Sequence, residues 1–165
     1  MTSLVVADAG PLIGMARVGR LSVLKSLFGS VLIPQRVFKE LKISSDRPGA
    51  KAISEGIHSG WIKIGEIKNQ SNSSIQRLLV DSGEAEAIQL ATEQNATLLL
   101  IDDRKGRKTA KKRGIHIIGT GGVLIVAKKA GLLAEVSPVL KELASIGYRL
   151  SPALCERIIE LADEC

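Results

Sequence analysis

Acidic residues follow two short apolar runs that lie far apart in the chain. Asp8 comes directly after Leu4–Ala7, and the pair Asp102 and Asp103 comes directly after Thr97–Ile101. Isolated charges beside an apolar core are costly, so the pattern implies a counter-ion. Carboxylate oxygens are ligands that Mg²⁺ prefers, and a divalent cation in such a site can activate water and clamp a phosphodiester. These residue types therefore indicate metal-assisted hydrolysis.

Two glutamates extend this acidic set. Glu40 flanks the apolar face of a helix predicted to open at Pro34. Glu84 lies at the start of a helix predicted over 83–95, on the face that packs against the core, because residues 84, 87, 88 and 91 share one side of a helix. The candidate catalytic residues are Asp8, Glu40, Glu84 and Asp103, and the candidate metal ligands are the same four with Asp102 added.

Each acid also has a purely structural interpretation. Asp8 could cap a helix that begins at Pro11, and Asp102 or Asp103 could cap the helix that follows them. Asp81 and Glu84 have the spacing of a capping box, and Glu40 could be a solvated helix residue. Ser or Thr would cap equally well, so acids at all four places favour the metal site.

The segment Arg104–Arg113 contains seven basic residues and no acidic residue. Only Gly106 and Ala110 form a narrow face that could pack on a sheet. A solvated helix is the alternative, but a cation-dense segment beside an acidic pocket is typical of a surface that holds a nucleic-acid backbone. The candidate phosphate contacts are Arg104, Arg107, Lys108 and Lys111, of which the two arginines lie nearest to Asp103.

Short apolar runs alternate with helical patterns along the chain, which predicts an α/β fold with a mainly parallel sheet covered by helices on both faces. Ligands of such sheets bind at the carboxyl ends of the strands, where the acids are expected. The alternation over Trp61–Ile67 predicts a strand that could lie at an edge of the sheet, whereas 69–74 predicts a polar loop. The 165 residues are expected to form one domain, with a core over about 1–147 and a helical extension over 148–165.

Several function classes are disfavoured by composition. The two cysteines make no disulfide framework, and neither a signal peptide nor an apolar run long enough to span a bilayer is present in the sequence. We therefore expect a soluble, cytoplasmic protein without a membrane partner. Aromatic residues are too scarce for a base-stacking platform, and the net charge of +6 favours an anionic partner.

Two further features are interpreted as structural. His58 and His116 are poorly placed for metal chemistry. Gly119–Gly122 resembles a phosphate cradle but lacks the Lys-Ser/Thr ending of a P-loop, so a tight strand-to-helix turn is the better interpretation.

Several of these segments, in the same order, resemble a PIN-like family, in a prokaryotic subfamily of predicted nucleic-acid-binding proteins. The resemblance implies a three-layer α/β/α fold and a Mg²⁺ or Mn²⁺ site of three or four acids. By motif, Asp8 matches the first acid, Glu40 the second, Glu84 the third and Asp103 the fourth, with Asp102 as its neighbour. The matching segments are Asp8–Ile13, Ile33–Leu41, Gly83–Ile88, Asp102–Ala110 and Gly119–Gly121.

The same resemblance implies a metal-dependent endoribonuclease acting on single-stranded RNA. Many members are toxins of toxin–antitoxin pairs, so an antitoxin protein and a homodimer are the implied partners. The chain departs from the family at Gly10, where a Ser or Thr usually supports the first acid, and at Glu84, where Asp is more common.

Three other functions remain as alternatives. A non-catalytic PIN-like module that binds nucleic acid or a protein partner is the first, motivated by Gly10 and Glu84. A phosphatase of the haloacid dehalogenase type would need a second Asp where Gly10 stands. A receiver-type phosphorylation switch would need a strand-end Asp near the middle of the chain.

Overall fold

A five-stranded parallel sheet forms the centre of the protein, of which the computed structural model describes residues 3–68, 82–148 and 150–164. The strands lie in the order β3-β2-β1-β4-β5, and every paired neighbour runs parallel. The expected α/β class and parallel sheet are confirmed, and the predicted strand near Trp61–Ile67 is the edge strand β3. The strands are β1 Val5–Ala7, β2 Val31–Pro34, β3 Ile62–Gly65, β4 Leu98–Leu100 and β5 Ile117–Ile118.

Helices connect and cover these strands. Within the described residues they are α1 Ala9–Arg17, α2 Ser22–Phe28, α3 Gln35–Leu41, α4 Ala50–His58, α5 Ser82–Glu93, α6 Arg104–Lys112, α7 Thr120–Lys129, α8 Ser137–Ser145 and α9 Pro152–Leu161. None of them combines the length and the apolar character that crossing a bilayer requires.

Most predicted helices are found, with shifted ends. The first helix begins at Ala9, two residues before Pro11, and Pro34 ends β2 and caps α3 rather than opening it. The structure therefore corrects the expectation that Pro34 is the first helical residue. Ser151 caps α9, because its Oγ accepts a hydrogen bond from the Leu154 amide at 3.1 Å. The predicted loop 69–74 and Asp81 lie outside the described residues.

The core has two parts, one on each face of the sheet. Because side chains alternate along a strand, Val5 and Ala7 of β1 face one way and Val6 faces the other. The first part is formed with residues of helices α1 to α4 and α7 to α9, and the second is formed mainly with residues of α5. Helices therefore cover both faces of the sheet, as the alternating pattern predicted, and give the three layers that the resemblance implied.

The edge of the sheet at which β1 and β4 end positions the acidic residues. Ala7 pairs with Leu100, and the Asp8 amide donates a hydrogen bond to the Leu100 carbonyl at 2.9 Å. The chain moves outward from β1 in both directions, to β2 and β3 on one side and to β4 and β5 on the other. Parallel sheets open a ligand crevice at such a switch point.

Candidate active site

A cavity of about 1160 Å³ opens at this edge of the sheet, and all five predicted acids line it. Asp8 follows β1, Glu40 comes from α3, Glu84 from α5, and Asp102 and Asp103 follow β4. Residues more than 90 positions apart in sequence therefore meet at one place. The lining residues are Asp8, Ala9, Gly10, Pro11, Glu40, Glu84, Asp102, Asp103, Arg104, Lys105, Arg107, Gly147, Tyr148, Leu150, Ser151 and Leu154.

Two of the carboxylates are buried at the base of the cavity. Asp8 is 7% exposed and Glu84 is 4% exposed, and the oxygens Asp8 Oδ1 and Glu84 Oε2 are almost completely shielded from solvent. Asp8 occupies the N-cap position of α1 in an extended conformation, but its side chain makes no capping hydrogen bond to that helix. Capping therefore does not account for this carboxylate. Buried negative charge of this kind favours a cation in the cavity.

Glycines allow the helices to approach the two glutamates closely. A Cβ atom on Gly83 would come within 2.6 Å of Glu40 Oε2, and one on Gly106 would lie 3.4 Å from Glu84 Oε2. Gly83 precedes Glu84 at the start of α5, so α3 and α5 approach each other closely beside the cavity that both glutamates line. The start of α6 can likewise lie close to Glu84, because Gly106 has no side chain.

Asp102 and Asp103 have different environments although they are adjacent in sequence. Asp102 accepts hydrogen bonds from the Thr120 amide at 2.7 Å, from the Thr120 hydroxyl at 2.5 Å and from the Tyr148 hydroxyl. Asp103 is exposed and caps α6 by accepting a hydrogen bond from the Gly106 amide at 3.0 Å. The capping interpretation therefore holds for Asp103, which nevertheless lines the cavity.

Tyr148 is one of the site residues that the sequence interpretation missed. Burial raises the pKa of Tyr148 well above its ordinary value, and the negative charge of Asp102 raises it further. Its hydroxyl consequently keeps its proton and donates to Asp102. The available signal was Gly147, whose position after a helical pattern is typical of a sharp reversal that would return the next side chain towards the sheet.

The start of α6 supplies a basic wall to the same cavity. Arg104 and Lys105 are exposed and line it, although Lys105 was not among the predicted phosphate contacts. Arg107 also lines it, but this side chain is half-buried and donates from a terminal guanidinium nitrogen to the Ile101 carbonyl at 2.8 Å. Arg107 thus helps to anchor α6 beside β4.

The other two predicted phosphate contacts lie elsewhere on α6. Lys108 is exposed and does not line the acidic cavity, and Lys111 lines a different cavity with His116 near β5. Gly106 and Ala110 are buried as the pattern predicts, with Thr109 beside them.

The donor set of the cavity fits a hard divalent cation. All its candidate ligands are carboxylate oxygens, and two of them are buried. Among the described residues, no three acidic, His or Cys side chains are gathered closely enough to hold one ion directly. Mg²⁺ commonly keeps several waters and uses only one or two carboxylates, so a partly hydrated ion suits a cavity of this size.

Comparisons with known proteins agree with this architecture. A family model described as PIN domain matches residues 4–164. A solved structure of a PilT N-terminus domain protein from the hyperthermophilic archaeon Sulfolobus solfataricus P2 superposes with a TM-score of 0.53 at 20% identity, covering 75% of this chain and 92% of that one. At this identity the likeness concerns the fold alone. No curated protein matches the chain.

Proposed function

The chain belongs to the PIN domain family, and from this premise we propose that it is a metal-dependent endoribonuclease acting on single-stranded RNA with Mg²⁺ or Mn²⁺. One observation carries the proposal: five carboxylates from four separate elements line one cavity whose rim bears Arg104 and Lys105. Negative charge at the base suits a cation, and positive charge at the rim suits a phosphate backbone.

The residues of the cavity have complementary roles in this proposal. Asp8 and Glu84 are the buried carboxylates that would hold the metal, with Glu40 and Asp103 completing the acidic ring. A bound Mg²⁺ or Mn²⁺ would supply a Lewis acid that lowers the pKa of water. The carboxylates orient the attacking water by accepting its hydrogen bonds, and Arg104 and Lys105 orient the phosphodiester. Hydrolysis by water needs no covalent enzyme intermediate.

The test is cleavage of a mixed-sequence single-stranded RNA with Mn²⁺, with Mg²⁺ and with EDTA. We expect product that requires the metal and that falls about 100-fold or more in Asp8→Asn, because a charge that acts in the transition state is lost. The matched control is Asp46→Asn, which changes an exposed aspartate in the loop after α3. Metal-dependent cleavage that survives Asp8→Asn in a folded protein would rule out this assignment of the site.

A non-catalytic RNA-binding module is the second candidate. It is favoured by the absence, within the described residues, of three carboxylates close enough to hold one ion directly. This candidate predicts RNA binding that weakens steeply with salt but gives no product with either metal. Binding without cleavage by the wild-type protein would decide for it.

A further inference from the structure

Tyr148 reaches the acidic cavity through a sharp reversal of the chain. Helix α8 ends in a Schellman motif, in which the Gly147 amide donates to Ala144 O at 3.1 Å and the Tyr148 amide donates to Leu143 O at 2.9 Å. Gly147 has a φ of +83°, a conformation that favours glycine. The motif determines the direction in which the chain leaves α8, so that the Tyr148 side chain points towards α1.

A strip of small residues on α1 receives the ring. A Cβ atom on Gly14 would lie 3.0 Å from Tyr148 Cδ2 and Cε2, closer than packed carbon atoms normally approach. A Cβ atom on Gly10 would lie 3.7 Å from the tyrosine hydroxyl oxygen. Gly10 and Gly14 are four residues apart and share one face of the helix. The ring therefore lies along the helix that begins immediately after Asp8.

The hydroxyl connects three elements through Asp102. Tyr148 donates to Asp102 Oδ2, while Thr120 at the start of α7 donates to both carboxylate oxygens from its hydroxyl and amide groups. Asp102 is thus held between the C-terminal segment and α7. Because Asp102 immediately precedes Asp103, its orientation determines where the strand-end acids lie relative to Asp8.

We propose that Tyr148 is a positioning residue of the acidic site: its hydroxyl, seated over Gly10 and Gly14, holds Asp102 and so sets the spacing of the carboxylates that bind the metal. This inference rests on the proposed metal-dependent function. In this proposal the segment after α8, through Tyr148, helps to position the metal-binding carboxylates. Asp102 orients the neighbouring Asp103, which lines the cavity.

The experiment compares Mn²⁺ binding by wild type and Tyr148→Phe, measured by titration calorimetry of the full chain without RNA. The Phe ring keeps the packing on Gly14 and removes only the hydroxyl. We expect Mn²⁺ affinity to fall by about 10-fold or more, in the range seen when a group that orients a metal ligand is lost. Tyr148→Phe should stay folded without metal, with only a small fall in thermal midpoint for the lost hydrogen bond to Asp102, and its RNA affinity in EDTA should stay unchanged.

Two further variants serve as a control and as an independent test of the Tyr148 position. Thr92→Val removes a hydroxyl that bonds only within α5, to Ile88 O, and should leave Mn²⁺ affinity at the wild-type value. Gly14→Ala adds a methyl group where the Tyr148 ring packs and should weaken Mn²⁺ binding without touching a polar group. It provides the decisive comparison if Tyr148→Phe unfolds.

The outcomes separate this inference from the proposed function. If the wild-type protein binds no Mn²⁺, both fail. If wild type binds Mn²⁺ and both Tyr148→Phe and Gly14→Ala bind it equally well, the positioning role is overturned while the metal site stands. If folded Tyr148→Phe, or Gly14→Ala in its place, loses metal-free RNA affinity to the same extent as Mn²⁺ affinity, Tyr148 is structural and the inference is wrong.

Discussion

Glu164 offers a stability prediction whose magnitude can be worked from its contacts. Near the C-terminus, its carboxylate accepts hydrogen bonds from the Val136 amide at 2.7 Å, from the Ser137 amide at 3.0 Å and from the Ser137 hydroxyl at 2.7 Å. Lys128 of α7 forms an ion pair with it at 2.9 Å. These contacts join the end of α9 to α7 and to the start of α8.

The hydrogen bond from Val136, followed by those from Ser137 and Lys128, lowers the pKa of Glu164 from 4.5 to about 2. A lowered pKa in the folded state means that the stabilisation is fully present above pH 4.5 and is lost as pH falls towards 2. The full shift corresponds to about 3 kcal/mol, and residual contact with solvent reduces this. We therefore expect Glu164→Gln to lower the free energy of unfolding by about 1–3 kcal/mol at pH 7.

Urea denaturation followed by circular dichroism, repeated between pH 7 and pH 3, measures this difference. The deficit of Glu164→Gln should shrink steadily as pH falls below about 4.5. The control is Glu160→Gln in the last turn of α9. The ion pair of Glu160 with Arg157 spans 3.4 Å between side chains that are 67% and 62% exposed. Its effect should stay below about 0.5 kcal/mol. A deficit independent of pH, or one no larger than that of the control, would show that the ionised Glu164 carboxylate does not provide this stabilisation.

Two other predictions concern RNA binding by Arg104 and the backbone conformation of the protein at Gly49. Arg104→Ala should weaken RNA binding in EDTA, and the slope of log affinity against log salt should become smaller by about 1, because one phosphate contact is lost. An unchanged slope would show that the RNA backbone does not contact Arg104. Gly49→Ala should lower the free energy of unfolding by about 2–4 kcal/mol, because φ is +88° and the new Cβ would lie 2.9 Å from Ala16 Cβ. Gly60 has a φ of +89°, but no atom lies within 4 Å of a Cβ added there. Gly60→Ala should therefore lower the free energy of unfolding by only about 1 kcal/mol. Equal losses for the two variants in urea denaturation would show that the contact with Ala16 contributes nothing.

Local patterns were enough to predict the elements that carry the acids. The apolar run before Asp8 ends where the strand ends, and the spacing of Ala87 and Ile88 places Glu84 on the buried face of α5. Gly106 and Ala110 likewise predict the buried side of α6. These predictions succeed because backbone periodicity and the hydrophobic effect act over a few neighbouring residues.

Contacts between distant residues decided the rest. Tyr148 meets Asp102 across 46 positions, and Glu164 meets Val136 across 28. The different environments of Asp102 and Asp103 follow from the same cause, because only the placement of α7 beside β4 brings Thr120 to one acid while the other caps α6.

Local patterns were therefore sufficient for the buried faces of α5 and α6, for the strands that end in acid and for the basic helix. The tertiary structure alone decided which acid is held by hydrogen bonds, which arginine is anchored to the backbone and which aromatic side chain enters the cavity. Periodicity orients a side chain only within its own helix or strand. Its partners, by contrast, depend on the order of strands in the sheet and on the close approach that glycines such as Gly14 and Gly83 permit.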